Sequence, residues 1–393
     1  MNSINSIAAL NTATNPYPDY CALLSGPELV FNEQLQCWVA SRAAVVDEVF
    51  NNPYCLVRPS AEQVPKTLVG SSAGDIFARL IRMNEGNAHA CPKLATLKAL
   101  NTLDGLRISI CTNEMIALLA AKYALSDGAY LAAWMFDLPI YVVAKLLGFN
   151  DVELPRVAEW ARDFVCGISP LGNAEQLNSA SVAARALLLR FRVLIECAPV
   201  QEKSLLSHLL QEAQLAGWDN CDAILANLIG FLSQTYEATA GLIGNGFIAL
   251  FNRPELQLLI SRDISQMDHL VQEVCRFDPP VQNTRRFVAQ ATIVANQHLQ
   301  AGDSILVLLA AASRDEQVNA RPDEFILERT NRRLFVFGHG RHACPGQNLS
   351  CTIASAALSG LLPLLVDIKQ LNWTYRPSFN VRVPEFTVIT KRS

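Results

Sequence analysis

The stretch Phe337-Gly338-His339-Gly340-Arg341-His342-Ala343-Cys344-Pro345-Gly346 decides how this chain is read. Two glycines ahead of the cysteine allow a tight loop at backbone angles closed to other residues, pressed against a flat object. Gly346 and the run from Gln347 to Leu362, rich in small residues, begin a helix. A cysteine just before a helix N-terminus lies in positive potential, which favours its thiolate. Two plainer readings stand beside this one: a buried cysteine in an ordinary turn, and a zinc site using His339, His342 and Cys344. The zinc reading lacks a second ligand pair at suitable spacing. The sequence also carries its own control. His89-Ala90-Cys91-Pro92 repeats His342-Ala343-Cys344-Pro345, but only the second copy has the Phe-Gly-x-Gly approach.

A thiolate held by a rigid glycine-rich loop suits the axial position of a haem iron, where it pushes electron density onto the metal and favours O–O cleavage. The segment resembles the cysteine-loop signature of the cytochrome P450 family, Phe-Gly-x-Gly-x-His-x-Cys-x-Gly, and fills every fixed position. The resemblance implies a mainly α fold with small β-sheets (α+β), in which haem b (iron protoporphyrin IX) is buried between a long central helix and the helix that follows the cysteine. It makes Cys344 the proximal iron ligand, brings His342 to a haem propionate and puts Phe337 and Gly346 in the haem site. Cys91 is then a helix-start residue beside the haem.

Further landmarks follow in the family's order. Glu273-Val274-Cys275-Arg276 lies on an expected helix before Pro279, where i and i+3 share a face and carboxylate can meet guanidinium. By resemblance, Arg329, after Pro322-Asp323-Glu324-Phe325, is the third member of a buried network that serves folding and haem retention. His89 and Lys93 resemble the family's His-x-x-x-Arg pair for haem carboxylates, with lysine replacing arginine. Arg286, preferred by register to Arg285, matches an arginine that reaches a propionate from the strand after the Glu-x-x-Arg helix.

The central helix departs from the pattern. It reads Phe231-Leu232-Ser233-Gln234-Thr235-Tyr236-Glu237-Ala238-Thr239 where the family has Ala-Gly-x-Glu/Asp-Thr-Thr. With Glu237 aligned to the acid, Gln234 and Thr235 take the places of the small pair and Ala238 that of the first threonine. That threonine's alcohol normally helps deliver protons during oxygen activation; a methyl group cannot. Thr235 could donate from one turn away, or bond back to a helix carbonyl. Thr239 matches the second threonine, which points elsewhere.

The resemblance puts the substrate against Phe231, Val281, Asn283, Phe379 and Asn380, among other residues of four segments. Such a mixture suits a medium-sized organic molecule with apolar and hydrogen-bonding parts. No flavin or iron–sulfur segment is present, so a ferredoxin and a ferredoxin reductase are expected as electron donors. Docking is expected near Lys98, Arg332, Arg333 and Arg341. The implied activity is a haem-thiolate monooxygenase of secondary metabolism with an atypical proton relay. A non-catalytic haem-thiolate sensor, an oxidative-coupling enzyme and a peroxide-using enzyme are the alternatives.

Composition agrees with a globular enzyme. Of 393 residues, 51% are apolar and 17% charged, and the net charge of −4 argues against a protein held on nucleic acid by phosphate contacts. The 11 cysteines are scattered without a CxxC pair, which points to a reducing cytoplasm rather than a disulfide scaffold. No leader or membrane anchor is expected, since the apolar run from Ala223 to Phe251 contains Asn227, Gln234, Glu237 and Asn245 and reads as a core helix. Helical spacing is expected over Ile116–Leu125, Leu138–Leu147, Ala180–Cys197 and Ser204–Ala216. Strands are expected in Glu28–Val39 and Arg285–Leu308, with Gln297–Asp303 as a hairpin connection before a strand Ser304–Ala310, and as a pair within Arg376–Thr390. One large domain spanning 1–393 is expected, with 1–15 a flexible N-terminus, and the protein is expected to be a monomer.

Overall fold

The structure, a computed structural model, describes residues 7–123, 128–197 and 204–390. In chain order its elements are α1 (Ile7–Thr12), α2 (Tyr17–Leu24), β1 (Leu29–Asn32), β2 (Cys37–Ala40), α3 (Ala43–Asn51), β3 (Cys55–Leu56), α4 (Ser72–Arg79), α5 (Asn87–Leu100), α6 (Gly105–Lys122) and α7 (Gly128–Leu147). There follow α8 (Leu154–Ile168), α9 (Ala174–Cys197), α10 (Leu205–Leu215), α11 (Cys221–Phe251), α12 (Pro254–Arg262), α13 (Gln266–Phe277), β4 (Thr284–Val288), β5 (Thr292–Val294), β6 (Gln297–Leu299) and β7 (Ser304–Val307). The chain ends with α14 (Leu309–Ser313), α15 (Gln347–Leu361), β8 (Ile368–Tyr375) and β9 (Pro384–Thr390). Contacts divide it into two compact units, one of Met1–Ala61, Gly241–Cys344 and Leu361–Ser393, the other of Glu62–Ala240 and Pro345–Gly360.

The first unit holds the sheets. The largest has the order β1-β2-β7-β4-β3. Its β2–β7 pair is parallel, with Trp38 opposite Ile305, and its other pairs are antiparallel. Strand β7 is central, and Ile305, Leu306 and Val307 are all fully buried, so it reads as a continuous apolar run rather than an alternation. Helix α3 packs Val45, Val46, Val49 and Phe50 onto this sheet in one core with Ile305, Val307 and Phe335.

Three expectations about this unit need correction. Gln297–Leu299 is a strand, not a connection: it pairs with β5 through a tight turn at Ala295 and Asn296, whose φ values of 47° and 60° are those of a hairpin turn. The expected strand Ser304–Ala310 stops at Val307, and Leu309–Ser313 turns helical, a switch that a short apolar run cannot announce. The C-terminal pair uses Ile368–Tyr375, and residues 376–383 connect it to Pro384–Thr390. The polar residues Lys369, Gln370, Asn372 and Thr374 are the exposed face of β8 and mask it in the sequence.

The N-terminus differs too. Within the segment expected to be flexible, residues 7–12 form α1, and residues 1–6 lie outside the described residues. The Asn11 amide donates to the Ser378 carbonyl at 2.9 Å, and the buried Arg382 donates to the carbonyls of Asn11 at 3.1 Å and Ala13 at 2.6 Å. The same guanidinium meets Asp278 at 3.2 Å and lies over the Tyr375 ring at 3.4 Å. A buried cation thus meets its hydrogen-bonding needs on the N-terminal carbonyls.

The second unit is helical. The expected helices at 138–147, 180–197 and 204–216 lie in α7, α9 and α10, and 116–122 lies in α6; residues 124 and 125 of that expectation are outside the described residues. Trp134 on α7 is fully buried, and a Cβ at Gly360 on α15 would lie 2.7 Å from its Cη2, so only glycine lets this ring and that backbone meet. Two stretches, Tyr130–Leu147 and Gln347–Asp367, are long and apolar enough to cross a membrane; 78% of the first and 50% of the second are buried inside the protein.

Candidate functional site

The loop before α15 is fixed through its backbone. Gly338 (φ 59°) and Gly340 (φ 66°) occupy left-handed conformations. The Gly338 N–H donates to the Phe335 carbonyl at 2.8 Å, that of Ala343 to Gly340 at 3.1 Å and that of Cys344 to Phe337 at 2.8 Å. Cys344 is exposed, and Phe337, His342 and Gly346 are half-buried. Two side chains at variable positions of the loop pin it to its own unit. Arg341 donates to the carbonyls of Asn52 and Cys55, each at 3.1 Å. His339 Nε2 lies 2.6 Å from Asp47 Oδ1, and the ring stands edge-on to Phe50 at 4.9 Å. Burial lowers the His339 imidazole below its usual range, against the charge of Asp47 and with that of Arg333. The ring faces α3 and not Cys344. Among the described residues no three His, Cys, Asp or Glu side chains form a metal-binding group, so the zinc alternative has no support.

Arg286 and Arg285 take opposite faces of β4. Arg286 is buried and Arg285 exposed, as the preferred register required. The Arg286 guanidinium donates to the Arg285 carbonyl at 2.8 Å and lies over the Phe50 ring at 4.8 Å.

Glu273 and Arg276 on α13 are both wholly buried. Arg276 donates to Glu273 Oε1 from Nε at 3.0 Å and from Nη2 at 2.6 Å. It also donates to the carbonyls of Pro322 and Glu324, each at 2.8 Å. Glu273 Oε1 further accepts from the Ile326 N–H at 3.1 Å and from Arg329 Nε at 3.4 Å. Arg329 in turn donates to the carbonyls of Ala320, Arg321 and Glu324. The network has a fourth member that sequence reasoning missed: Arg332 donates to Glu273 Oε2 at 2.8 Å. Burial works to raise the Glu273 carboxyl, but hydrogen bonds from Arg276 and Arg332 and the charge of Arg276 outweigh it and hold the group below the usual carboxylate range.

That result changes the expected docking patch. Arg332 serves Glu273, and Arg341 serves buried carbonyls. Arg333 pairs with Asp47 at 3.0 Å and Lys98 with Glu212 at 3.4 Å. Buried acceptors need donors, and two of the four cations supply them.

In the second unit, Gly86 (φ 58°) opens α5, which presents His89, buried, and Lys93, half-buried, one turn apart. Cys91 is exposed in the first turns of the same helix, as expected. On α11, Thr235 donates its hydroxyl proton to the Phe231 carbonyl at 2.7 Å, and the Gln234 amide donates to Gly230 at 3.0 Å. The back-bonding alternative for Thr235 is the one observed. Thr239 is buried and its hydroxyl lies 3.0 Å from that of Ser350 on α15, consistent with the register that leaves Ala238 in the first threonine's place. Glu237, Ala238 and Phe231 are half-buried.

The strand after α13 and the C-terminal turn of the first unit do come together. Val281 bridges Val381, the Gln282 N–H donates to the Asn380 carbonyl at 2.8 Å, and the Asn283 amide donates to the Phe379 carbonyl at 3.1 Å. Asn283 is buried, so its amide N–H holds the turn. Sequence reasoning missed Gln282, which anchors the turn to Tyr20 at 3.0 Å.

An exposed sulfur on a backbone-locked loop, with Arg286 and His342 in the same unit, is a donor set that fits an iron porphyrin with two carboxylates. A family model described as "Cytochrome P450" matches residues 255–363. The "Biotin biosynthesis cytochrome P450" of Bacillus subtilis (strain 168) is 25% identical over 263 residues, 66% of this chain and 66% of that protein. The "Vitamin D(3) 25-hydroxylase" of Pseudonocardia autotrophica is 28% identical over 385 residues, 94% and 92% of the two chains. Among solved structures, P450BioI in complex with an acyl carrier protein ligated to hexadec-9Z-enoic acid superposes with a TM-score of 0.79 at 21% identity, covering 97% of this chain and 99% of that one. The match to the Bacillus protein spans just under two thirds of its length. The chain is thus similar, over part or most of its length, to members of the cytochrome P450 family. Both of these relatives are bacterial.

Proposed function

We propose that this chain is a haem-thiolate monooxygenase that oxidises a medium-sized organic molecule. The carrying observation is the Cys344 loop, whose backbone hydrogen bonds and left-handed glycines present one sulfur at the start of a helix. Cys344 is the iron ligand, and Phe337 and Gly346 shape the surface beneath the macrocycle. His342, Arg286, His89 and Lys93 hold the carboxylates by charge-assisted hydrogen bonds. When bound, haem supplies the redox centre for dioxygen activation with two external electrons. Glu273, Arg276, Arg329 and Arg332 hold the segment that leads into the loop. The whole chain is read as one such domain.

On the distal side Glu237 is the acid that guides protons and Ala238 contributes no donor. Thr235, its proton given to Phe231, and Gln234 shape the space. Proton delivery therefore falls to water or to a hydroxyl of the substrate. Phe231, Val281, Asn283, Phe379 and Asn380 contact the substrate. The relatives' printed activities, in biotin biosynthesis and vitamin D(3) hydroxylation, support biosynthetic tailoring or hydroxylation as the reaction type. We assign ferredoxin and ferredoxin reductase as electron donors, a cytoplasmic location and a monomeric state, without nucleic-acid or membrane partners.

The missing alcohol at 238 and the committed one at 235 favour a second reading, a haem-thiolate protein that binds or senses a ligand. Turnover driven by NADH through a ferredoxin pair, followed by mass spectrometry over a metabolite panel, separates the two. Oxygenated product supports the monooxygenase. Tight ligand spectra with no product from any oxidant support the sensor.

A further inference from the structure

The two segments that carry Val281, Asn283, Phe379 and Asn380 meet in a very short ladder. The Gln282 N–H donates to the Asn380 carbonyl at 2.8 Å, the Arg382 N–H donates to the Pro280 carbonyl at 2.7 Å, and Val281 stands opposite Val381. So short a ladder specifies its register weakly, and a slip of one residue would turn 281 and 283 away from the face they share. Side chains supply what the backbone lacks. On one segment, Gln282 is wholly buried. Its Nε2 donates to the Pro279 carbonyl at 2.6 Å, and its Oε1 accepts from the Tyr20 hydroxyl at 3.0 Å. On the other, the Ser378 carbonyl accepts from the Asn11 amide at 2.9 Å, and the Ser378 hydroxyl accepts from the Val381 N–H at 3.2 Å.

Asn11 and Tyr20 belong to α1 and α2, so the N-terminal helices hold both segments of the ladder. All of these residues lie in the first unit. Asn11 and Tyr20 are both buried. The Tyr20 ring packs in one core with Leu10, Val39, Leu308 and Ala310, which fixes the place where its hydroxyl meets Gln282. Helix α11 makes a third contact. A Cβ at Gly241 would lie 2.8 Å from the Arg382 carbonyl oxygen and 2.8 Å from Pro280 Cβ, so only a glycine lets the helix come this close to the ladder. Removing the Tyr20 hydroxyl leaves the ring packing in place and a buried acceptor on Gln282 unpaired, which is the costly way to lose a hydrogen bond.

We propose that Tyr20 and Asn11 are positioning residues of the substrate site. Acting through Gln282 and Ser378, they set the register at which Val281, Asn283, Phe379 and Asn380 face the substrate, and with it the site's selectivity for shape. This rests on the monooxygenase reading of the site. Tyr20→Phe and Asn11→Ala each remove one anchor. Leu209→Ala, which opens a cavity at a fully buried position of α10 in the second unit, is the control for lost stability. Hydrogen exchange with mass spectrometry reads the order of the ladder. Titration of the haem band of the haem-loaded protein with imidazole and with clotrimazole reads the site, because both ligate iron through an imidazole nitrogen and only clotrimazole carries a bulky body. The wild type should bind clotrimazole about tenfold or more tightly than imidazole. Each anchor variant should speed exchange over 376–384 and lower the clotrimazole-to-imidazole affinity ratio by about fivefold or more, with imidazole affinity kept within about twofold. Leu209→Ala should change neither. A wild type that binds clotrimazole no more tightly than imidazole, a ratio unchanged in either anchor variant whatever its exchange, or an equal change of ratio in Leu209→Ala overturns the proposal. The ferrous carbon-monoxide spectrum of the same samples reports the thiolate ligand separately. A wild type without the thiolate band defeats the monooxygenase reading, and an unchanged ratio beside an intact band defeats only the positioning role.

Discussion

Replacing Glu273 with glutamine tests the buried network most sharply. Glu273 accepts from Arg276 at 2.6 and 3.0 Å, Arg332 at 2.8 Å, Ile326 at 3.1 Å and Arg329 at 3.4 Å. Glutamine keeps one acceptor oxygen but removes the charge and turns an N–H₂ towards three guanidinium groups. Removing one partner of a buried ion pair costs about 3–5 kcal/mol, because the remaining charge stays buried without compensation. Against a total stability of about 5–15 kcal/mol, that is a large share. Urea unfolding of the haem-loaded protein, followed by circular dichroism and by the haem band, is the assay. The control is Arg156→Ala, which removes an exposed pair to Glu159 at 2.7 Å and should cost under about 1 kcal/mol. The pH dependence has a definite sign. Because the folded state holds the Glu273 carboxyl below its usual value, the stabilisation is complete above the unfolded value of about 4.3 and is lost as pH falls from there through the folded value. Glu273→Gln should therefore flatten the acid limb of the stability curve. A variant as stable as the Arg156→Ala control, with the same acid limb as wild type, would refute the reasoning.

Two further predictions follow from single contacts. Gly360→Ala places a Cβ 2.7 Å from Trp134 and should destabilise the protein by about 1–3 kcal/mol, with Trp134 fluorescence perturbed; unchanged stability and emission would show that the helices part freely. Thr235→Ala should leave the ratio of product to released peroxide unchanged, since its proton serves the Phe231 carbonyl, whereas Ala238→Thr should raise that ratio; the reverse pattern would return Thr235 to the relay.

The cysteine loop was legible because its conformation is set locally, by Gly338 and Gly340 and by hydrogen bonds that close within the segment. The Glu273–Arg276 pair was legible because i and i+3 share a helix face. The choice of Arg286 over Arg285 followed from strand alternation, which buries one and exposes its neighbour. What escaped was long-range or ambiguous. Arg332 sits in a basic run that looks like a solvated surface, and only the folded chain brings it to Glu273, far away in sequence. Asn283 looked like a free polar group for a ligand, but the turn at Phe379 needs its amide. Strand β8 hid behind its exposed polar face, and α14 continued an apolar run already assigned to β7.

The central claim is that Cys344 binds the haem iron as a thiolate. The ferrous carbon-monoxide spectrum of wild type and of Cys344→His, both purified folded and loaded with haem, tests it directly. The account predicts the red-shifted band of a thiolate-ligated carbonyl complex in the wild type and its replacement by a histidine-type band in the variant. A wild type without that band, or a variant that keeps it, would contradict the account.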